Sequence, residues 1–196
     1  MLSSYAPHRT LLAALVVAIA PTTAEAARYS FDDTSGDIAF EMKATLHAIN
    51  GVVGNFSGDL RLDDDSITGK LDITAKSLDT GLGLRDKRMW GFCLETNRWA
   101  SIGLVVNAVS GDEEGLRSGE GSGEIELVGQ LTIRSATREV NVPATYTWED
   151  DGTLRLVGRY AMQWGDYGVP DPSIPLSKLL PDMTIVYDVK LGERPG

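Results

Sequence analysis

The sequence predicts an all-β protein of about eight antiparallel strands closed into a barrel, crossed by one or two short helical segments. Three observations carry this. Apolar and polar residues alternate on both sides of the polar connector Arg134-Ser135-Ala136-Thr137-Arg138, through Leu127, Leu131 and Ile133 before it and Val140 and Val142 after it. That is the pattern of a hairpin with one buried face. Further alternating stretches follow one another with only short turns between most of them, so each strand pairs with its neighbour in an up-and-down meander. Closing such a meander removes its exposed edges, and eight strands enclose room for side chains or one small ligand.

The first segment stands apart from the fold. Arg9 precedes an apolar run from Leu11 to Ala20, Pro21 ends any helix, and Ala24-Glu25-Ala26 offers small residues to a signal peptidase. The run is about half the length a membrane-spanning helix needs, so residues 1–26 read as a secretory signal peptide and 27–196 as one domain. The expected location is the periplasm.

Taken in order, Tyr29 to Phe31 forms a short opening strand, and Ile38, Phe40 and Met42 make the inner face of the next. Asn50-Gly51 and Gly54 call for a bend or bulge. Phe56, Leu60 and Leu62 share one parity, a turn at Asp63-Asp64-Asp65-Ser66 follows, and Ile67, Leu71, Ile73 and Ala75 point inward. Alternation stops between Leu78 and Trp99, where Leu84, Arg88 and Met89 are spaced for one or two helical turns. Strand character returns at Ile102, Leu104 and Val106. Gly111 to Gly123 is glycine-, serine- and glutamate-rich with Leu116 as its one large apolar residue, which predicts a mobile loop. After the opening hairpin come Ala144, Tyr146 and Trp148, then an inward row of Leu154, Leu156, Gly158, Tyr160, Met162 and Trp164. A loop with four prolines spans Asp166 to Pro181, and Ile185, Tyr187, Val189 and Leu191 complete the last strand. The aromatic residues share the parity of the aliphatic ones, which favours a soluble barrel over one that shows its apolar face to lipid.

Composition excludes several function classes. A net charge of −10, unchanged when Arg9 and Glu25 leave together, disfavours nucleic acid and anionic membrane surfaces as partners. With His8 in the signal segment, His47 is the single histidine of the domain and Cys93 its single cysteine, so neither a Cys/His zinc site nor a histidine-rich metal site can be built. Cys93 is either a small buried hydrophobe or a link between two chains of a homodimer. No nucleophile-elbow motif and no phosphate-binding glycine loop is present. The carboxylate clusters Asp63 to Asp65, Glu113-Glu114 and Asp150-Asp151 fall in turns, where solvation explains them. A hydrolase on this scaffold would have to use Asp86 and Asp166. No cofactor is expected.

The apolar inventory says more. Large residues could fill the barrel, but Gly58, Gly69, Gly129 and Gly158 also face inward by parity and remove volume there, which leaves room for a ligand or for a closely packed neighbour. A tubular apolar cavity with a few polar groups at its mouth suits a long lipid-like molecule.

Four pieces of the chain, in order, resemble the YceI-like family of periplasmic lipid-binding proteins. They are Gly54-Asn55-Phe56, Arg85-Asp86 with Met89-Trp90, the stretch Val128 to Val142, and Asp166-Tyr167-Gly168-Val169. The resemblance implies an extended, lipocalin-like eight-stranded barrel and a non-enzymatic carrier of a long amphiphile: a polyisoprenoid, an isoprenoid quinone or a fatty amide. The chain departs from the family pattern at Phe92-Cys93-Leu94-Glu95 and Trp99-Ala100-Ser101, where two aromatics, an acid and a proline are expected. The expected pocket residues are Phe40, Phe56, Met89, Phe92, Leu104, Leu131, Tyr160, Met162 and Trp164, with Gly129 as a point of its wall and His47, Arg85 and Tyr167 at a polar mouth. Partners beyond the lipid are a homodimer mate or an envelope or redox protein that docks on the barrel.

Overall fold

A computed structural model describes residues 26–174 and 177–194. The predicted signal peptide lies outside the described residues except for Ala26. Strands β1 (Ala27–Asp32), β2 (Gly36–Ala44), β3 (Ala48–Val53), β4 (Phe56–Leu62), β5 (Ile67–Thr74), β6 (Leu78–Asp79), β7 (Ser101–Gly111), β8 (Ser122–Ile133), β9 (Ala136–Trp148), β10 (Leu154–Gln163) and β11 (Leu179–Glu193) belong to one antiparallel sheet. Its hydrogen-bonded order runs β1-β4-β5-β7-β8-β9-β10-β11, and β1 returns to β11 through Tyr29 opposite Glu193 and Ser30 opposite Gly192. The ring is closed, with eight strands.

The three strands outside this ring are continuations of ring strands. β2 carries β1 onward along β11, β3 runs into β4 and keeps pairing with β2, and β6 extends β5 beside β3. Eleven segments thus make eight long, kinked strands in an up-and-down meander. Short polar residues set the kinks. The Asp32 carboxylate accepts from the Thr34 N–H at 2.9 Å and the Thr34 hydroxyl at 2.6 Å, a local turn that competes with the ladder. At Gly54-Asn55 the broken ladder is stitched across strands: Gly54 N–H donates to the Ser77 carbonyl at 3.0 Å, and the Thr74 hydroxyl to the Asn55 side chain at 2.6 Å.

Alternation places side chains as the sequence predicts. Along β9, Val140, Val142, Ala144, Tyr146 and Trp148 are buried while Glu139, Asn141, Thr145 and Thr147 are exposed. Apolar inside and polar outside is the reverse of a lipid-spanning barrel. The helical stretch is also where expected: α1 (Gly83–Arg88) runs directly into a π turn at Met89–Cys93.

Two expectations are corrected. The segment Gly111 to Gly123 is an ordered cap, because it contains α2 (Glu113–Ser118). Asp112 caps this helix by accepting from Gly115 N–H at 3.1 Å, and Gly119, at φ +77°, ends it in the left-handed conformation. Its one large apolar residue, Leu116, is fully buried, and its carbonyl accepts from the Trp148 indole N–H at 3.1 Å. Trp164, in turn, leaves the inward row. β10 ends at Gln163, and Trp164 opens a 3₁₀ turn (Trp164–Tyr167) with its indole N–H donating to the Leu180 carbonyl at 2.9 Å.

Buried apolar residues form two clusters. The larger fills the barrel from the α2 end. The smaller, with Ala75, Cys93, Leu94, Ile102, Ile133, Met162 and Tyr167, lies under the α1 segment at the opposite end.

Candidate functional site

Inside the barrel is a tubular cavity with about 170 Å³ of space for water centres. Its wall is almost wholly apolar and comes from most strands of the ring: Phe31 and Phe40 at one side, Leu71 and Leu104 on β5 and β7, Leu131 and Ile133 on β8, and Tyr160, Met162, Met183 and Tyr187 on β10 and β11. The lining on β11 extends from Met183 to Leu191, about 20 Å along the axis at the usual strand rise and barrel tilt. Spread over that length, the volume corresponds to a bore of about 6 Å once the radius of a water is added back. Such a tube accepts a single hydrocarbon chain.

Glycines set the bore by a route that parity alone does not show. Three aromatic lining residues lie directly opposite glycines in the ladder: Phe31 opposite Gly58, Phe40 opposite Gly51, and Tyr187 opposite Gly158. In each pair a Cβ on the glycine would fall on the ring, at 2.4 Å from Phe31, 2.1 Å from Phe40 and 2.3 Å from Tyr187. The rings therefore lie down on the wall across the neighbouring strand, which keeps them out of the centre. The Tyr187 hydroxyl then reaches past Gly158 and donates to the Pro143 carbonyl at 2.5 Å. Burial pushes its pKa well up, so it stays a neutral donor.

Gly129 works differently. A Cβ there would come within 2.0 Å of the Val105 carbonyl oxygen, beside the bulge that shifts the β7–β8 register between Val106 and Ala108. It allows two backbones to approach and is not part of the cavity lining, contrary to the expectation that it marks the tunnel wall.

Of the other residues expected at the site, Phe40, Leu104, Leu131, Tyr160 and Met162 line the cavity. Phe56 is buried in the main cluster and packs on Phe31 with ring centroids 6.2 Å apart, one layer behind the lining. Met89 packs on the smaller cluster. Phe92 is 45% exposed beneath the Arg88 guanidinium, on the outer side of the π turn. Trp164 stands outside the wall, as described above. Tyr167 is buried in the smaller cluster, and burial, with Tyr160 as its neighbour, raises its pKa.

The two remaining polar candidates do not face the cavity. His47 is exposed in the β2–β3 turn. Arg85 donates from Nε to the Thr80 hydroxyl and from its terminal nitrogen to the Thr80 carbonyl, both at 2.8 Å. Its neighbour Asp86 is 4% exposed and accepts from Thr80 N–H at 2.9 Å and the Thr80 hydroxyl at 2.5 Å. Burial opposes the Asp86 charge, but these bonds and the nearby Arg85 hold its carboxyl below the usual range. The Arg-Asp motif thus locks the start of α1 onto the chain after β6. Lining residues that the expectation omitted, such as Phe31, Leu71, Met183 and Tyr187, lie on the same inward rows and were within reach of the parity argument.

The two acids that a hydrolase was expected to use, Asp86 and Asp166, are not brought together at the cavity. Asp86 is tied to Thr80, Asp166 is exposed on the 3₁₀ turn, and neither lines the cavity.

The family description "YceI-like domain" matches residues 29–191. Among solved structures, BcnA of Burkholderia cenocepacia superimposes with a TM-score of 0.70 at 16% identity, over 83% of this chain and 99% of that one. A polyisoprenoid-binding domain from Saccharophagus degradans, implicated in plant cell wall breakdown, gives 0.71 at 11% identity, over 87% and 100%. A YceI protein of Campylobacter jejuni gives 0.55 at 12% identity, over 76% and 86%. At these identities the likeness is one of fold. No curated protein sequence matches the chain.

Proposed function

Because the chain belongs to the YceI-like family, we propose that it is a binding protein that sequesters one long amphiphilic lipid, of polyisoprenoid, isoprenoid quinone or fatty amide type, and acts as its carrier in the periplasm. The observation that carries the reading is the cavity: tubular, one chain wide and apolar along its length. Each methylene moved from water into such a wall contributes about 0.8 kcal/mol, so roughly fifteen buried carbons supply about 12 kcal/mol, which offsets an association cost of about 4 kcal/mol and leaves micromolar affinity. The Saccharophagus degradans neighbour, described as polyisoprenoid-binding, adds support. The reading assigns no catalysis.

The test is extraction of the protein, purified from a periplasmic fraction, followed by mass spectrometry of the extract. The expected result is one long-chain lipid in near-stoichiometric amount. A protein that is reproducibly empty, and that also fails to take up a polyprenol or an isoprenoid quinone from detergent, would overturn the proposal.

A further inference from the structure

The net charge of −10, which taken as a whole disfavours an anionic surface, is unevenly placed along the barrel axis. At the end capped by α2, the β4–β5 turn carries Asp63, Asp64 and Asp65, the β9–β10 turn carries Glu149, Asp150 and Asp151, and the α2 loop adds Asp112, Glu113, Glu114 and Glu120 against Arg117. The opposite end has another character. There the β2–β3 turn, the α1 segment, and the β10–β11 loop with the start of β11 expose large apolar side chains: Leu46 at 73%, Leu82 at 54%, Leu84 at 80%, Phe92 at 45%, Ile174 at 53% and Leu180 at 44%.

These segments are neighbours around the ring. Thr45 N–H donates to the Lys178 carbonyl at 2.8 Å, and β6, which leads into α1, pairs with β3. Half-buried Trp90, Trp99 and Trp164 stand among them, with Trp90 and Trp164 each donating the indole N–H to a backbone carbonyl, of Leu78 and Leu180, at 2.9 Å. Exposed apolar tips with tryptophan behind them are the composition of a surface that meets the headgroup region of a bilayer.

Charge names the kind of bilayer. Lys87, Arg88, Arg98 and Lys178 are exposed at this end. Among the described residues, the cations without an ion pair all lie at this end except Arg28 and Arg194. Glu95 is neutralised in its pair with Arg134; the carboxylates of Asp79, Asp86, Asp166, Asp171 and Asp182 keep their charge but stand apart, without the consecutive acids that crowd the α2 end.

We propose that the end of the barrel formed by the β2–β3 turn, the α1 segment and the described residues of the β10–β11 loop docks reversibly on an anionic phospholipid surface, with Leu82, Leu84 and Phe92 entering the headgroup layer and Lys87 and Arg88 meeting phosphates. The acidic α2 end is repelled by the same surface, so the axis of the barrel stands toward the membrane with a defined polarity. This goes beyond the binding reading, because it concerns the outer surface and not the lumen.

The experiment is co-sedimentation with vesicles of phosphatidylethanolamine and phosphatidylglycerol in equal parts, set against vesicles of phosphatidylcholine alone. The protein is expected to pellet with the anionic vesicles, to be released at high salt, and to stay largely in solution with the neutral ones. Lys87→Gln with Arg88→Gln should weaken binding about 25-fold, roughly fivefold per charge. Leu84→Asp, at a position 80% exposed and outside both core clusters, should weaken it at least as much. Uptake of a polyprenol from detergent micelles should be unchanged in both variants, so failure of the docking and failure of the lumen are read separately. Equal binding by parent and variants, binding indifferent to lipid charge, or no binding at all would overturn the proposal. So would self-association abolished by Leu84→Asp without vesicle binding, since it would assign the face to a second copy of the chain.

Discussion

Two alanine substitutions, Gly51→Ala and Gly129→Ala, separate the glycines that shape the lumen from those that shape the backbone. At Gly51 the added methyl would stand 2.1 Å from the Phe40 ring tip, the movable end of a side chain. The ring must move off the wall by about 1.5 Å to restore contact distance, and the free direction is the lumen. Removing glycine from a strand gains about 0.5–1 kcal/mol and an off-rotamer ring costs about 0.5–1.5 kcal/mol, so stability should hardly change. The ligand meets the equivalent of one misplaced methylene in a packed tube, about 1–3 kcal/mol, or five- to more than a hundredfold in Kd. At Gly129 the obstacle is the Val105 carbonyl at 2.0 Å, which belongs to the ladder itself. Strands β7 and β8 must part, and two buried backbone bonds at about 1–3 kcal/mol each put the loss near 4 kcal/mol, a large share of a small domain's stability. Urea unfolding followed by tryptophan fluorescence reads the stability, and titration with a fluorescent polyprenol reads the affinity. If Gly51→Ala binds like the parent, the Phe40 ring does not bound the lumen. If Gly129→Ala is as stable as the parent but binds weakly, the lumen passes Gly129 after all.

Three further outcomes follow from the geometry. Leu116→Ala should cost about 3 kcal/mol, toward the lower end for a fully buried leucine because a short surface helix can partly settle into the gap; a loss under about 1 kcal/mol in urea unfolding would mean that α2 is not clamped by this side chain. Cys93 is buried with its thiol pushed up by that burial, so it should resist alkylation until the protein unfolds, and non-reducing gels should show no disulfide-linked dimer. Asp86 has a lowered carboxyl pKa, so its ionisation stabilises the fold above about pH 4 and that contribution fades as pH falls through the lowered value. Asp86→Asn should therefore lower Tm at neutral pH and approach the parent in acid; an equal gap at both would show that the charge is not what matters.

Most of the architecture was legible because alternation reports directly which side of a wall a residue faces. The eight strands, the inward rows from Ile38 to Leu191 and the helical interruption before Ile102 all follow from it. What alternation does not report is what stands opposite. Gly51 reads as a bend and Gly58 as a gap until the ladder sets Phe40 and Phe31 over them, and Gly129 reads like Gly158 until the β7 bulge brings the Val105 carbonyl onto it. Register across strands depends on pairings distant in sequence, which no local pattern encodes. The α2 cap shows a second limit. Its helix is too short for periodicity to reveal, yet Asp112, Leu116 and Gly119 stand at capping, burial and termination positions that become meaningful only beside Tyr146 and Trp148. Trp164 shows a third, since parity cannot tell where a strand stops.

The ring is joined at one seam, where β1 and its continuation β2 run along β11, from Tyr29 opposite Glu193 to Ala44 opposite Leu179. Every other neighbour contact links segments close in sequence, so hairpins can zip one after another, but the seam joins the two ends of the domain. Bringing them together costs about 4–5 kcal/mol of chain entropy, and only the last ladder rewards it. Until then the chain is a curled sheet with two free edges, its apolar face uncovered, the form most prone to pair with another chain. The time to close, more than the stability of the closed barrel, sets how much of the protein survives folding at high concentration.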